Sequence, residues 1–185
     1  MFTRTVFLLT SLLCACAPAA ERTSFSRWQA DQWEICREPG AVQAGQWIQE
    51  KDRIRAGEKE AGLLNLLYRP VNASDVIVES RMAFDGDGAP SLMLRAQTKD
   101  GVVGDVYSVV LHKKGINLWR RVDGRSSKVA QAVFAPEPGK VHHLRASAEG
   151  WRLRVWVDGT LMVDAEDATI PMAGRVGLWA GEGIC

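Results

Sequence analysis

The feature that most constrains this chain is a period-two alternation of apolar and polar residues, interrupted at intervals of roughly ten residues by Gly, Asp and Pro. Asp75 to Phe84 reads DVIVESRMAF and places Val76, Val78, Ser80, Met82 and Phe84 on one face, with Ile77, Glu79, Arg81 and Ala83 on the other. Ser91–Thr98, Val106–His112, Gly115–Val122, His142–Ala148, Arg152–Val157, Leu161–Val163 and Arg175–Ala180 repeat the pattern. Asp158-Gly159, flanked by Arg-Val-Trp-Val and Thr-Leu-Met-Val, is a strong hairpin signal, because Gly and Asp accept the positive φ of a tight primed turn. Similar breaks fall at Lys99-Asp100-Gly101, Lys113-Lys114-Gly115, Asp123-Gly124 and Glu149-Gly150. No stretch carries a comparable helical stripe, so the expected fold is all-β, an antiparallel jelly-roll β-sandwich.

The chain has 185 residues, 46% of them hydrophobic and 24% charged, which suits one globular domain with a single core. Lys and Arg number 23 against 22 Asp and Glu. That balance lacks the basic footprint of a protein that neutralises phosphates, so nucleic acid is not an expected partner.

Residues 1–15 carry one cation, Arg4, ahead of the apolar runs Val6-Phe7-Leu8-Leu9 and Leu12-Leu13, the layout of an export signal and too short for a membrane span. Leu13-Cys14-Ala15-Cys16 resembles the bacterial lipobox, which implies cleavage before Cys16 and lipidation of its thiol and new amino terminus. Two or more acyl chains give durable anchoring, so a membrane partner reached through lipid is expected. The alternative is an ordinary signal cleaved near Ala17-Pro18-Ala19-Ala20, releasing a soluble periplasmic protein. The expected organisation is a signal at 1–15, a lipidated tether at 16–24 and one jelly-roll domain at 25–185, in the bacterial cell envelope. Ala17 differs from the Asp that resembles an inner-membrane retention signal, which favours the outer membrane.

Several stretches resemble a family. Gly45-Gln46-Trp47-Ile48-Gln49, Asp52-Arg53-Ile54-Arg55, Leu92-Met93-Leu94-Arg95-Ala96 and Tyr107-Ser108-Val109-Val110-Leu111 look like successive strands of the concanavalin A-like lectin/glucanase jelly roll. Gly139–Arg145, Gly150–Gly159 and Gly174–Trp179 are similar to the W-H-x-L-x-V, V-x-V-D-G and G-x-V-G-L stretches of laminin-G-like domains, and especially of 3-keto-disaccharide hydrolase domains. The resemblance covers roughly residues 33–185 and implies carbohydrate as partner. It also implies a framework role for His143 and for Trp47, Trp151 and Trp156. The family pattern carries one more strand after G-x-V-G-L, where the sequence given reaches Cys185.

Cys36 and Cys185 would meet an oxidising compartment. A disulfide between them would close a loop of about 150 residues, worth roughly 4–5 kcal/mol in the chain-entropy model; two unpaired thiols are the alternative.

The retaining β-glucanases of family 16 resemble one another in an E-x-D-x-x-E run, which sends three carboxylates to one face. Here Glu50-Lys51-Asp52 offers two, and the next Glu is Glu58, beyond Ala56-Gly57, so that chemistry is not expected. If Val78, Met82, Leu92, Leu94, Tyr107, Val109 and Leu111 face the core, then Glu79, Arg81, Arg95 and His112 face outward, with Trp119 and Arg121 beside them. Guanidinium groups near an indole suit a sugar, whose hydroxyls need partners while its C–H face stacks on an aromatic ring. Arg81, Arg95, Trp119, Arg121 and Trp179 are thus candidate ligand contacts, and Glu79 and His112 candidate catalytic groups. Cross-strand Glu–Arg pairing on a solvated face is the competing account. Asp85-Gly86-Asp87-Gly88 could offer Asp85 and Asp87 to Ca²⁺ or another divalent metal, or be a plain turn. Three functions stay open: a non-catalytic saccharide-binding lipoprotein, a glycoside hydrolase acting on (3-keto-)glycosides, and a structural or protein-interaction module of the envelope.

Overall fold

Every residue of the strand Pro90–Ala96 is buried, although its sequence alternates with Ser91 and Arg95. A strand covered on both faces lies inside a layered structure, and the computed structural model, which describes residues 29–41, 46–51, 53–56, 64–84 and 88–180, shows the layers. In chain order the strands are β1 (Trp33–Cys36), β2 (Trp47–Glu50), β3 (Arg53–Ala56), β4 (Leu64–Ala73), β5 (Val76–Met82), β6 (Pro90–Ala96), β7 (Thr98–Lys99) and β8 (Val102–Val103). They continue as β9 (Val106–His112), β10 (Gly115–Val122), β11 (Arg125–Val133), β12 (His142–Glu149), β13 (Arg152–Val157), β14 (Thr160–Glu166) and β15 (Gly174–Ala180).

Seven strands form one antiparallel sheet in the order β1-β4-β15-β6-β9-β10-β11, and four form a second in the order β14-β13-β12-β5. Two small hairpins, β2-β3 and β7-β8, complete the set among the described residues. The core between the sheets holds Leu92, Leu94, Leu111, Ile116, Leu118 and Leu144, all essentially inaccessible. Each such side chain contributes roughly 1.5–3 kcal/mol of transfer free energy.

Strands β9, β10 and β13 have the bounds that alternation predicts. Strands β4 and β11 do not follow from it. In β4 the adjacent Leu66 and Leu67 are both buried, because Leu66 packs with Trp33, Tyr68 and Val176 and Leu67 packs in a different apolar cluster with Cys36, Met93 and Val103. Period two vanishes where both faces are covered. Strand β11, RSSKVAQAV, is an edge strand with no fully buried residue, so its apolar pattern is faint.

Asp158 and Gly159 have φ of 50° and 83° and join β13 to β14 as a two-residue turn. The Asp158 carboxylate also accepts from the His143 backbone N–H at 2.8 Å and lies 2.8 Å from His142 Nδ1. The His142 contact is the first cause holding its carboxyl below the usual aspartate range. It is His142, not His143, that is buried; alternation in β12 turns His142 inward with Leu144 and Ala146 and leaves His143 exposed. The framework role expected of His143 therefore falls to its neighbour. Gly115 is fixed by close approach: with φ of 128°, a Cβ there would stand 2.1 Å from the Ala132 carbonyl oxygen.

Candidate functional site

The outer face of the seven-stranded sheet, away from the core, is assembled by register. One row across it runs Asn65, Trp179, Ser91, Val110 and Asn117; the next runs Leu67, Gly177, Met93, Ser108 and Trp119. Part of this face is covered. The β7-β8 hairpin binds the chain after β1, with Arg37 N–H donating to Gly101 O at 2.8 Å and Val103 N–H to Arg37 O at 3.0 Å. Beneath it Cys36, Leu67, Met93, Ala96, Val103 and Val106 form an apolar cluster, with Trp179 packed against it.

Glu38 enters this cover as a buried carboxylate, 7% exposed. Its Oε1 accepts from Trp179 Nε1 at 2.8 Å and from Asn65 Nδ2 at 3.1 Å, and its Oε2 is ion-paired with Arg121. Arg121 spends its remaining donors on the carbonyls of Gly104 at 3.1 Å and Val103 at 3.0 Å. A buried charge is tolerated only when paired and hydrogen-bonded, and here both members are. Two expected contacts, Trp179 and Arg121, are thus brought together through a carboxylate that period-two reasoning does not reveal, since Glu38 lies outside any strand. Glu38-Pro39-Gly40 in the sequence reads only as a turn.

Trp179 also lines a cavity of about 760 Å³. Its walls come from the β2-β3 hairpin, the edge strand β5, the start of β6 and the end of β15. Trp47, Phe84 and Trp179 supply aromatic surface, and Arg53, Arg55 and Arg81 supply donors. Ser91 lines it too, so the cavity and the sheet face meet at Trp179 and Ser91. An indole whose N–H is held by a buried carboxylate has a fixed ring plane, which is what stacking against a flat C–H surface requires.

No family model matches the chain. It is 29% identical over 137 residues to a levanase of Bacillus subtilis (strain 168) and 28% identical over 116 residues to a levanase of Bacillus sp. (strain L7). These matches cover 72% and 60% of this chain, but it spans only 20% and 12% of the levanases. Among solved structures, the carbohydrate-binding module CBM66 from Bacillus subtilis superposes with a TM-score of 0.67 at 22% identity, covering 83% of this chain and 93% of that one. A prokaryotic β-1,3-1,4-glucanase (lichenase) derived from a mouse hindgut metagenome superposes with a TM-score of 0.62 at 10% identity, over 86% of this chain and 84% of that one. The fold is the concanavalin A-like jelly roll.

In this jelly roll the remaining candidates separate. Glu79 is on the outer face of the four-stranded sheet, 3.5 Å from His143 and 3.4 Å from Arg145. His112 is on the outer face of the seven-stranded sheet, where Nδ1 accepts from Lys114 N–H at 3.3 Å and burial lowers its pKa. The two expected catalytic groups therefore sit on opposite sides of the sandwich and share no site. Alternation separates inside from outside, but a sandwich has two outsides.

Arg95 does not face outward. It is 1% exposed, with φ of 51°, and its guanidinium donates to Ser74 O at 2.6 Å, Ile170 O at 2.8 Å and Gly150 O at 2.5 Å. Arg81 is exposed and borders the cavity from the four-stranded sheet. Trp119 is half-buried, with Lys128 Nζ 5.3 Å from its ring centre. Trp151, expected as framework, is 62% exposed in the β12-β13 turn, whereas Trp156 stacks with Arg145 at 4.9 Å.

Cys36 is a free, buried thiol pushed up to about 12, first by burial and then by the Glu34 carboxylate, and it forms no disulfide among the described residues. Its expected partner Cys185, the lipidation candidate Cys16, and Asp85 and Asp87 lie outside the described residues. Among the described residues no group of three or more His, Cys, Asp or Glu could hold a metal, and no helix is long and apolar enough to cross a membrane.

Proposed function

We propose that this domain is a saccharide-binding module of an exported envelope protein anchored through lipid on Cys16. The observation that carries the binding is Trp179, an indole pinned by Glu38 in the wall of a cavity of about 760 Å³ that Trp47 also lines. Such a cavity is large enough for one or two sugar rings. The likeness to a carbohydrate-binding module over most of both chains supports the same reading, and the partial matches to levanases make levan the first ligand to try. The hydrolase reading, including action on 3-keto-glycosides, loses its support in geometry, because Glu79 and His112 cannot reach one glycosidic bond from opposite faces. A structural or interaction role predicts no saccharide affinity at all.

The test is calorimetric titration of the full-length protein with levan oligosaccharides and a panel of other oligosaccharides. Trp179→Ala is expected to weaken binding about tenfold or more, the loss of one stacking platform, while urea unfolding shows a folded protein. Unchanged affinity in that variant moves the site away from the cavity. The anchor has its own check: metabolic labelling with a fatty acid is expected to mark the protein and to fail in Cys16→Ala, and equal labelling of that variant would refute lipidation at Cys16.

A further inference from the structure

We infer that the saccharide seated in this cavity is acidic, its carboxylate or sulfate received by Arg81. The inference rests on the saccharide reading and deepens it. Three arginines, Arg53, Arg55 and Arg81, line the cavity, and no Asp or Glu does among the described residues. The nearest carboxylate on the hairpin, Glu50, is already divided: Oε2 accepts from Arg53 Nε at 3.1 Å and Nη2 at 2.9 Å, and Oε1 from Arg55 Nε at 2.9 Å. Among the described residues, one carboxylate thus faces two guanidinium groups on the hairpin side.

Arg81 adds a third. Directly across from it on β12 stands His143, but His143 is turned to Glu79, and Glu79 is shared with Arg145. Among the described residues the Arg81 guanidinium has no ion pair and no hydrogen bond. Elsewhere on the outer face of this sheet the arginines are matched: Arg152 with Asp164 at 2.5 Å, Arg154 with Glu149 at 3.4 Å and Arg145 with Glu79 at 3.4 Å. The exception is the arginine beside the cavity.

A neutral sugar has no charge to pair with the Arg81 guanidinium. A carboxylate or sulfate does, and a guanidinium receives either through two parallel N–H donors. The walls around it, Ile54, Phe84, Leu178 and the two indoles, are apolar, and low-dielectric walls strengthen the field of an unpaired cation in a cleft.

The experiment titrates the full-length protein with matched pairs: oligogalacturonate against neutral galacto-oligosaccharide, and a sulfated galactan oligosaccharide against its desulfated form. The expected result is about tenfold tighter binding of at least one acidic member, with a preference that shrinks as salt rises, as screened charge pairing requires. The two pairs separate carboxylate from sulfate. Arg81→Gln is expected to abolish the preference without unfolding the protein, Arg81→Lys to keep part of it, and Arg125→Gln, an equal charge change at the start of β11 and outside the cavity lining, to leave it intact. Equal affinity for acidic and neutral members, or a preference unmoved by Arg81→Gln, overturns the inference and leaves the saccharide module standing. No binding of these four ligands overturns the inference, and no binding of the levan oligosaccharides either removes the saccharide reading with it. Binding to phosphatidylglycerol vesicles with no glycan preference overturns it in favour of a lipid headgroup.

Discussion

Arg95→Ala is expected to lower the unfolding free energy by about 3–5 kcal/mol, the range for removing a buried charged group whose partners cannot rearrange. Its guanidinium ties together the carbonyls of Ser74, Gly150 and Ile170, which belong to three separate connections at one end of the sandwich. Asp75 stands 3.7 Å from it and accepts the Gly150 N–H at 2.8 Å, so one charge centre holds the β4-β5 turn, the β12-β13 turn and the segment before β15. Tyr107 braces the same segment, its hydroxyl donating to Asp167 at 2.8 Å and accepting from Ile170 N–H at 3.1 Å. Removing the arginine leaves three carbonyls without their donor, that of Ile170 in a buried position. Arg95→Lys keeps the charge but not the fork of donors, and is expected to recover less than half of the loss. Urea unfolding followed by intrinsic fluorescence measures both variants. A change within about 0.5 kcal/mol for the alanine variant would show that the knot contributes nothing, and would return Arg95 to the ligand contacts.

Glu38→Ala is expected to have the second large effect, on two observables at once. It leaves Arg121, whose side chain is 16% exposed, without its counter-charge, and leaves the Trp179 and Asn65 donors without an acceptor. The expected cost is about 3 kcal/mol of stability, since an unpaired buried charge is worse than none. With the indole no longer held, saccharide affinity is expected to fall about tenfold even at temperatures where the variant is fully folded. Glu38→Gln separates the two effects. Its Oε1 can still accept from Trp179, so binding is expected to persist, while the lost charge still weakens the pairing with Arg121. Calorimetric titration and urea unfolding of both variants, with Arg121→Ala to close a double-mutant cycle, distinguish a positioning role from a purely structural one. Equal loss of affinity in Glu38→Gln and Glu38→Ala would mean that charge, not ring orientation, is what the ligand uses.

These two residues mark where reading the chain residue by residue succeeds and where it stops. The β-strand register in and around Val106–Val122 follows from alternation, because each strand there has one face on the core and one on a less crowded side. Arg95 defeats the same rule. It sits at an outward parity, but its positive φ turns the strand just before the chain leaves β6, and the side chain is carried into the loops. Glu38 defeats it differently, since a turn residue has no parity to read. Trp179 and Arg121 are both visible as candidates, yet nothing local says that one carboxylate joins them from 141 and 83 residues away.

The class of fold is legible in the chain without any coordinates. Period two, Asp-Gly turns and the absence of a helical stripe are local properties, written in neighbouring residues, and they lead to an antiparallel sandwich without any long-range knowledge. Which outward faces are the same face emerges only when the sheets are stacked. Glu79 and His112 have equal claims along the chain and end on opposite sheets, while Trp47, Arg81 and Trp179 are far apart in sequence and line one cavity. Side-chain parity is set by the backbone pleat within a strand, whereas the stacking of sheets is set by the summed burial of all their inner faces, a quantity that no single strand contains.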